Sequence, residues 1–191
     1  MWGGEFLWFL QQLGYTNLHG VDVSPQQIEA AKSIGVENVE VADALEYLRR
    51  YPNTYALINA QSFLEHLTRD ELLRVMDATV KALLPGGLLL AVVPNSKSLF
   101  SARVRYADLT HELSFTPESV VQLCNLAGLE VVTIREHGPV VHGLKSAVRW
   151  MVWQVIRTGL LVALLAEAAD ISFRVYTQDM MFVARQKGSQ A

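Results

Sequence analysis

At 191 residues, half hydrophobic and 18% charged, the chain has the size and balance of one globular domain with a single core, which excludes a disordered polymer. A formal net charge of −3 gives no long-range pull toward nucleic acid, so no nucleic-acid partner is expected. The lone Cys124 forbids an internal disulfide and sits in a helical pattern as a small buried side chain, in keeping with a reducing, cytoplasmic setting; no basic-then-apolar leader is visible.

The chain begins with Met1-Trp2-Gly3-Gly4, a turn running into a helix whose apolar face is Phe6, Leu7, Phe9, Leu10 and Leu13 and which Gly14 closes. Residues 18–23 then read as a strand carrying Asp22 at its end. A glycine turn, a helix and a strand ending in an acid is the layout of a nucleotide-binding βαβ unit, where glycines let the backbone approach the ligand and the acid accepts from ribose hydroxyls. The hydrophobic strand that should precede the glycines is missing, so the chain is expected to lack the start of that unit.

Ser24 and Pro25 open the next helix as N-cap and first helical residue, running to about Ile34 before Gly35. Residues 36–41 read as a second strand, 44–51 as a short helix ended by Pro52, and 55–60 as a buried strand. Thr68 caps a long helix reaching Leu84, with Glu71 completing a capping box. Pro85-Gly86-Gly87 turns into a strand over 88–93 that Pro94-Asn95 stops. Thr116-Pro117-Glu118-Ser119 opens a further helix capped by Gly128, and 129–135 and 180–185 are the last strands. This alternation predicts a doubly wound α/β sheet in a single domain over 1–191, without internal repeats.

Residues 143–169 break the pattern as one long apolar helix carrying Trp150 and Trp153. Its uninterrupted apolar run, about nine residues between Arg157 and Glu167, is short of the roughly twenty a membrane-spanning helix needs. The expectation is a helix packed on its own domain; Lys145, Arg149 and Arg157 beside the tryptophans leave open peripheral contact with a membrane surface or a partner.

Two carboxylates carry the ligand reading. Asp22 suits the two ribose hydroxyls, or alternatively favours the dipole of the helix that starts at Ser24. Asp43, in Val41-Ala42-Asp43-Ala44, suits an exocyclic adenine amine, or alternatively caps the helix that follows.

The chain resembles class I S-adenosylmethionine-dependent methyltransferases in Gly4-Glu5-Phe6-Leu7, Asp22, Ala42-Asp43-Ala44, Phe63-Leu64-Glu65-His66-Leu67 and Leu84-Pro85-Gly86-Gly87-Leu88, in that order and spacing. Within them, Arg105-Tyr106-Ala107-Asp108-Leu109-Thr110-His111-Glu112 with Phe115-Thr116, and His142-Gly143-Leu144-Lys145-Ser146, are similar to a subgroup associated with bacterial surface-polysaccharide or O-antigen synthesis. The resemblance implies a Rossmann-like seven-stranded sheet whose first strand this chain lacks. It also implies S-adenosylmethionine as cofactor over the strands' carboxyl ends, and O-methylation of a sugar or glycan-linked precursor. It assigns cofactor contacts to Gly3, Gly4, Asp22, Val23, Asp43, Ala44, Gln61 and Ser62. The chain departs from the family where Trp2 replaces a loop glycine and where Tyr55-Ala56 stands in place of the usual aspartate.

Methyl transfer to a hydroxyl needs alignment and a base. His111 is the candidate base, with an unperturbed pKa of about 6.5 and with Asp108 and Glu112 flanking it to orient it; the alternative is a loop histidine fixing residues 106–115. His66 beside Glu65 reads as a structural or cofactor-lining residue. His137 and His142 have no Cys or carboxylate at ligand spacing, so no metal site is expected.

Two other readings remain. A nicotinamide-dependent oxidoreductase shares the glycine turn and distant acid, but Asp43 and the Pro85-Gly86-Gly87 turn argue against it and no Tyr-x-x-x-Lys relay is present. A non-catalytic methyltransferase-like fragment is the other. The absent strand would lie between residues 18–23 and 55–60 and bury about four aliphatic side chains, roughly 6–12 kcal/mol, against a typical domain stability of about 5–15 kcal/mol. With two inner edges unpaired, the 191-residue chain is expected to be unstable or to self-associate.

Overall fold

The computed structural model describes residues 4–138, 140–168 and 174–187. Helix α1 (Glu5–Gln12) ends at Leu13, after which Gly14 takes a left-handed φ of 89°. Strand β1 (Gly20–Asp22) leads to α2 (Pro25–Ser33), then β2 (Val39–Val41) and α3 (Ala44–Arg50). Strand β3 (Tyr55–Gln61) is followed by a 3₁₀ turn (Leu64–His66) and by α4 (Arg69–Ala82), whose Thr68–Glu71 capping box is formed as expected. Next come β4 (Leu83–Pro94), the short α5 (Ser101–Arg105), and α6 (Pro117–Ala127), which opens where expected, with a Thr116–Ser119 capping box, and closes at the expected Gly128. Strand β5 (Leu129–Glu136), helix α7 (Leu144–Ala168) and strand β6 (Asp179–Gln186) complete the order.

Six strands form two sheets among the described residues: β1 parallel to β2, and β3-β4-β6-β5, in which β6 runs antiparallel to both neighbours. β1 and β3 each have one unpaired edge, and the α/β arrangement is Rossmann-like, as expected. Two sequence readings need correction. The strands foreseen over 18–23 and 36–41 shrink to three residues each, because each has only the other to bond to and the ladder ends where that partner does. Strand β3 is not buried: with β4 as its sole neighbour it is half-buried at best, and Leu57 is 39% exposed.

The core lies where α4 and α6 cover the four-stranded sheet. Met76, Leu83, Leu89, Val120, Leu129 and Phe182 are fully buried in it. Period two is clearest in β6, where Met180, Phe182 and Ala184 point inward and Met181 and Val183 are only half-buried. The Pro85-Gly86-Gly87 turn lies within β4: Tyr55 pairs with Leu83 and Leu57 with Leu88, so residues 84–87 bulge out between them. Gly87 is obligatory there, since a Cβ would sit 2.8 Å from the Leu84 carbonyl oxygen and 3.1 Å from that of Tyr55. Cys124 is buried as foreseen, and burial pushes its thiol up to about 12.

Helix α7 packs on its own domain, as expected, but along one side only. Trp153, Arg157, Leu160, Leu161 and Leu164 form a half-buried row at helical spacing, and Arg157 Nε lies 3.6 Å from Glu136 Oε1. The opposite face is open, with Leu144 83%, Val155 74% and Val162 61% exposed. One tether and one half-buried row are too little cover for a helix apolar on most of its surface. By length and composition Leu144–Ala166 suffices to cross a membrane, a longer stretch than the run between Arg157 and Glu167.

Asn95 joins the chain end to the sheet. Wholly buried at the tip of β4, its Nδ2 donates to the carbonyls of Val175 (3.0 Å) and Thr177 (2.9 Å), and its Oδ1 accepts from the Lys97 amide (3.0 Å). Asn95→Ala removes these bonds and strands two buried carbonyls, so it is expected to cost on the order of 2–4 kcal/mol in urea unfolding. An unchanged midpoint would mean that β6 is held by its ladder alone.

Candidate functional site

The chain places its chemistry-bearing residues in two neighbouring groups at the carboxyl ends of the parallel strands. The first is a cavity of about 180 Å³ between the two sheets. Val21, Asp22 and Val23 line it from β1, Ala42, Asp43 and Ala44 from the start of α3, Asn59, Ala60 and Gln61 from β3, and Met76 and Thr79 from α4. Of the residues singled out by sequence, Asp22, Val23, Asp43, Ala44 and Gln61 therefore line one cavity. Ser62 follows at the end of β3 in a left-handed conformation (φ 46°), which turns the chain away from the strand into the Leu64–His66 turn. Gly4 packs elsewhere: at φ 86° its missing Cβ would meet Ala31 Cβ at 2.7 Å, so it serves the α1–α2 contact. Gly3 lies outside the described residues.

Both carboxylates also do the local work that the sequence held as alternatives. Asp22 Oδ1 accepts from the Ser24 amide at 2.8 Å, which caps the start of α2 in place of the Ser24 hydroxyl. Asp43 Oδ1 accepts from the Glu46 amide at 3.0 Å and is the N-cap of α3. Each local bond uses one oxygen, and Oδ2 of each makes no hydrogen bond among the described residues. Capping and ligand binding are thus compatible at both positions.

Asn59 was missed by the sequence reading. The residue lines the cavity and its Oδ1 is buried with no hydrogen-bond partner among the described residues, and such orphans are rare. The signal was an amide inside the otherwise apolar Tyr55-Ala56-Leu57-Ile58 strand. Two carboxylates and the Asn59 amide around an apolar floor suit a ligand rich in hydroxyl, amine or ammonium donors.

The second group is Glu65, His66 and His111. One ring nitrogen from each histidine and one Glu65 carboxylate oxygen lie within 4.8 Å of one another, and the two rings meet edge-on at 4.7 Å between centroids. Backbone bonds bring them together: the Glu65 carbonyl accepts from the amides of Glu112 (2.8 Å) and Leu113 (2.9 Å), stitching the His111 loop to the Leu64–His66 turn. Arg105 fixes the loop from the other side by donating to the carbonyls of His111 and, at 2.9 Å, Glu112.

Asp108 and Glu112 do not orient His111, contrary to the sequence expectation. His111 Nδ1 lies 3.1 Å from the Val104 carbonyl oxygen, which can only accept, so Nδ1 carries the proton. Asp108 Oδ1 instead accepts from the Thr110 amide (2.8 Å) and hydroxyl (2.7 Å), closing a turn on itself, and those bonds hold its carboxyl below the usual range. Glu112 is exposed. With its hydroxyl proton directed to Asp108, Thr110 Oγ1 accepts from His66 Nδ1 at 2.9 Å. Both histidines therefore keep a bare lone pair on Nε2. Glu65 is 2% exposed, and burial, with Asp179 nearby adding like charge, pushes its carboxyl up to about 7. His137 and His142 are not among the three ligand-bearing groups of this cluster; the His137 amide bonds the Asp179 carbonyl at 3.3 Å.

A family model described as a methyltransferase domain matches residues 3–134. No curated protein matches the chain in sequence. Among solved structures, an S-adenosylmethionine-dependent methyltransferase from Archaeoglobus fulgidus is similar at TM-score 0.71 and 22% identity, over 96% of this chain and 82% of that one. Methyltransferases of the same description from Methanosarcina mazei (TM-score 0.63, 15% identity, 98% of this chain and 89% of that one) and Mesorhizobium loti (0.64, 15%, 96% and 87%) share the fold.

Proposed function

The chain belongs to the methyltransferase-domain family, and from that premise we propose that it moves a methyl group from S-adenosylmethionine to a hydroxyl of a sugar or glycan-linked precursor in surface-polysaccharide synthesis. The observation that carries the reading is the cavity lined by Asp22, Asp43 and Asn59, whose side chains suit a donor-rich nucleoside. Asp22 would take the ribose hydroxyls, Asp43 the adenine amine, and Asn59 a further donor. When bound, the cofactor supplies an already activated methyl group on a sulfonium, so the protein need only align the acceptor and accept its proton. His111 is the base in this reading, because its Nδ1 proton is fixed on Val104 and its Nε2 lone pair is available. The methyltransferase-domain match sets aside the nicotinamide-dependent alternative; an inactive methyltransferase-like chain stays as the competing reading, and activity decides between them.

The open face of α7 supports a peripheral attachment of the protein to an anionic membrane surface, with cytoplasm as its proposed setting. Lys145 and Arg149 are exposed on the same helix as Val148, Met151, Val155 and Trp150, a pairing of basic and apolar groups that suits headgroups above acyl chains. The half-buried row and the Arg157–Glu136 pair keep the helix on its domain, which favours lying on the bilayer over crossing it.

Three outcomes test these statements. Asp22→Ala should weaken S-adenosylmethionine binding by about 2–3 kcal/mol in calorimetry, the scale of a charge-assisted pair; an equal affinity would remove Asp22 from the cofactor site. His111→Asn should lower turnover of labelled methyl groups onto nucleotide-sugars or lipid-linked glycans by about 10²–10⁴ with cofactor affinity kept; an undiminished rate returns His111 to a structural role. Vesicles containing phosphatidylglycerol should sediment the chain and neutral ones should not. Val148→Glu with Val155→Glu should abolish the effect; a failure of anionic vesicles to retain the unaltered chain rejects the attachment.

A further inference from the structure

The Glu65 carboxylate is the one group in the second cluster whose surroundings do not account for it. Its Oε2 is buried without any hydrogen-bond partner, and Glu65 is 2% exposed, so water does not serve it. No Lys or Arg pairs with it: the ion pairs among the described residues lie elsewhere, and Arg105 gives its described bonds to the His111 and Glu112 carbonyls. The two groups beside it are imidazoles whose protons are held on Nδ1, facing Thr110 and Val104. One ring nitrogen of each histidine and a Glu65 carboxylate oxygen thus lie together, and no Lys or Arg stands between them among the described residues.

That pattern is the one metal-binding histidines show. Their second nitrogen is fixed by a carbonyl or by a carboxylate relay, here Val104 for His111 and Thr110–Asp108 for His66, which orients the ring and raises its basicity. Ligands at about 2.0–2.2 Å from one ion sit roughly 3–3.5 Å from each other. The three atoms, already within 4.8 Å of one another, reach that by small side-chain rotations.

We infer that Glu65, His66 and His111 bind one divalent transition-metal cation, with coordination positions left open for an oxygen of the acceptor. Two imidazoles and one carboxylate favour zinc, manganese, iron(II) or cobalt over magnesium and calcium, which prefer all-oxygen sites. Such an ion acidifies a hydroxyl bound to it: the O–H bond breaks, the proton passes to water, and oxygen keeps the electron pair, with no change of oxidation state. This rests on the proposed deprotonation of the acceptor at this cluster, and it changes the part His111 plays from free base to ligand.

The experiment is titration of the metal-stripped full chain with Mn²⁺ by electron paramagnetic resonance, and with Co²⁺ by its visible absorption. One saturable site per chain is expected, with equal concentrations of Mg²⁺ failing to compete. Glu65→Gln, close to isosteric, and His66→Asn should each weaken binding more than tenfold while keeping a cooperative melt. Thr110→Val leaves all three ligands but cuts the His66 relay, and should weaken binding by about 10–100-fold. Absence of one-to-one binding, or affinity unaltered in Glu65→Gln and His66→Asn, overturns the site. If metal binding is absent while His111→Asn still loses turnover, the free-base reading stands and this inference fails. If metal binds but turnover is the same in stripped and loaded protein, the assignment of open positions to the acceptor is wrong.

Discussion

β4 pairs in parallel with β3 from Leu57–Leu88 to Gln61–Val92, and antiparallel with β6 from Leu88–Arg185 to Pro94–Asp179. That double pairing sets the position of the groups carried by β3 and by the loops that follow β3 and β4. It brings the carboxyl end of β3, with Asn59 and Gln61, level with the end of β4, where Asn95 holds the segment entering β6. The backbone then leaves β3 through the left-handed Ser62 and delivers Glu65 and His66 beyond the strand end. The Asn95–Phe115 bridge continues the same edge and leads the preceding loop, with His111, back onto the Glu65 carbonyl. Ligand sites at the carboxyl ends of open α/β sheets follow from this geometry, because there the loops diverge and leave a crevice.

Neighbouring carboxylates in this crevice are given different electrical characters by their surroundings. Asp108 is exposed and held by two Thr110 donors, so it stays ionised well below neutral pH. Glu65, linked to it through Thr110 and His66, is buried with its Oε2 unpartnered, and burial pushes its carboxyl up to about 7. Separation of this kind between nearby acids marks sites that handle protons or cations rather than sites that merely fold. The mutual support is also mechanical: the Asp108 turn positions Thr110, Thr110 fixes the His66 tautomer, and Arg105 and the Glu65 carbonyl fix the loop that carries His111.

Several local signals in the sequence, each decided by a residue or two, read accurately. Thr68 with Glu71, Thr116 with Ser119, Gly128 and the Pro85-Gly86-Gly87 turn act where they were expected, since caps and turns depend on their own side chains and on φ. Asp22, Asp43 and Gln61 were legible as a set because strand ends in an α/β sheet converge. What failed depended on partners distant in sequence. The length of β1 and the exposure of β3 follow from which strands flank them. The holder of His111 is Val104, seven residues away on a turn of helix that carries no apolar period. Asn59 and the Glu65 cluster were hidden for the same reason: an amide in a strand, or a glutamate before a histidine, becomes informative only once its burial is known.

Helix α7 shows how far such reasoning reaches. Its periodicity alone could not say which side is covered, because apolar residues surround most of the axis. The covered side is identified by Arg157: its guanidinium reaches Glu136 at the end of β5, so the row through Trp153, Leu160, Leu161 and Leu164 must face the domain. Everything opposite that row is left to solvent, including Leu144, Val155 and Val162. Contiguous exposed apolar surface of this kind is uncommon on a lone soluble domain and usually marks a place where something docks. The basic residues gather at the amino-terminal end, where Lys145 and Arg149 flank the start of the apolar face. An anionic surface would therefore meet that end of the helix first and draw the open face in behind it.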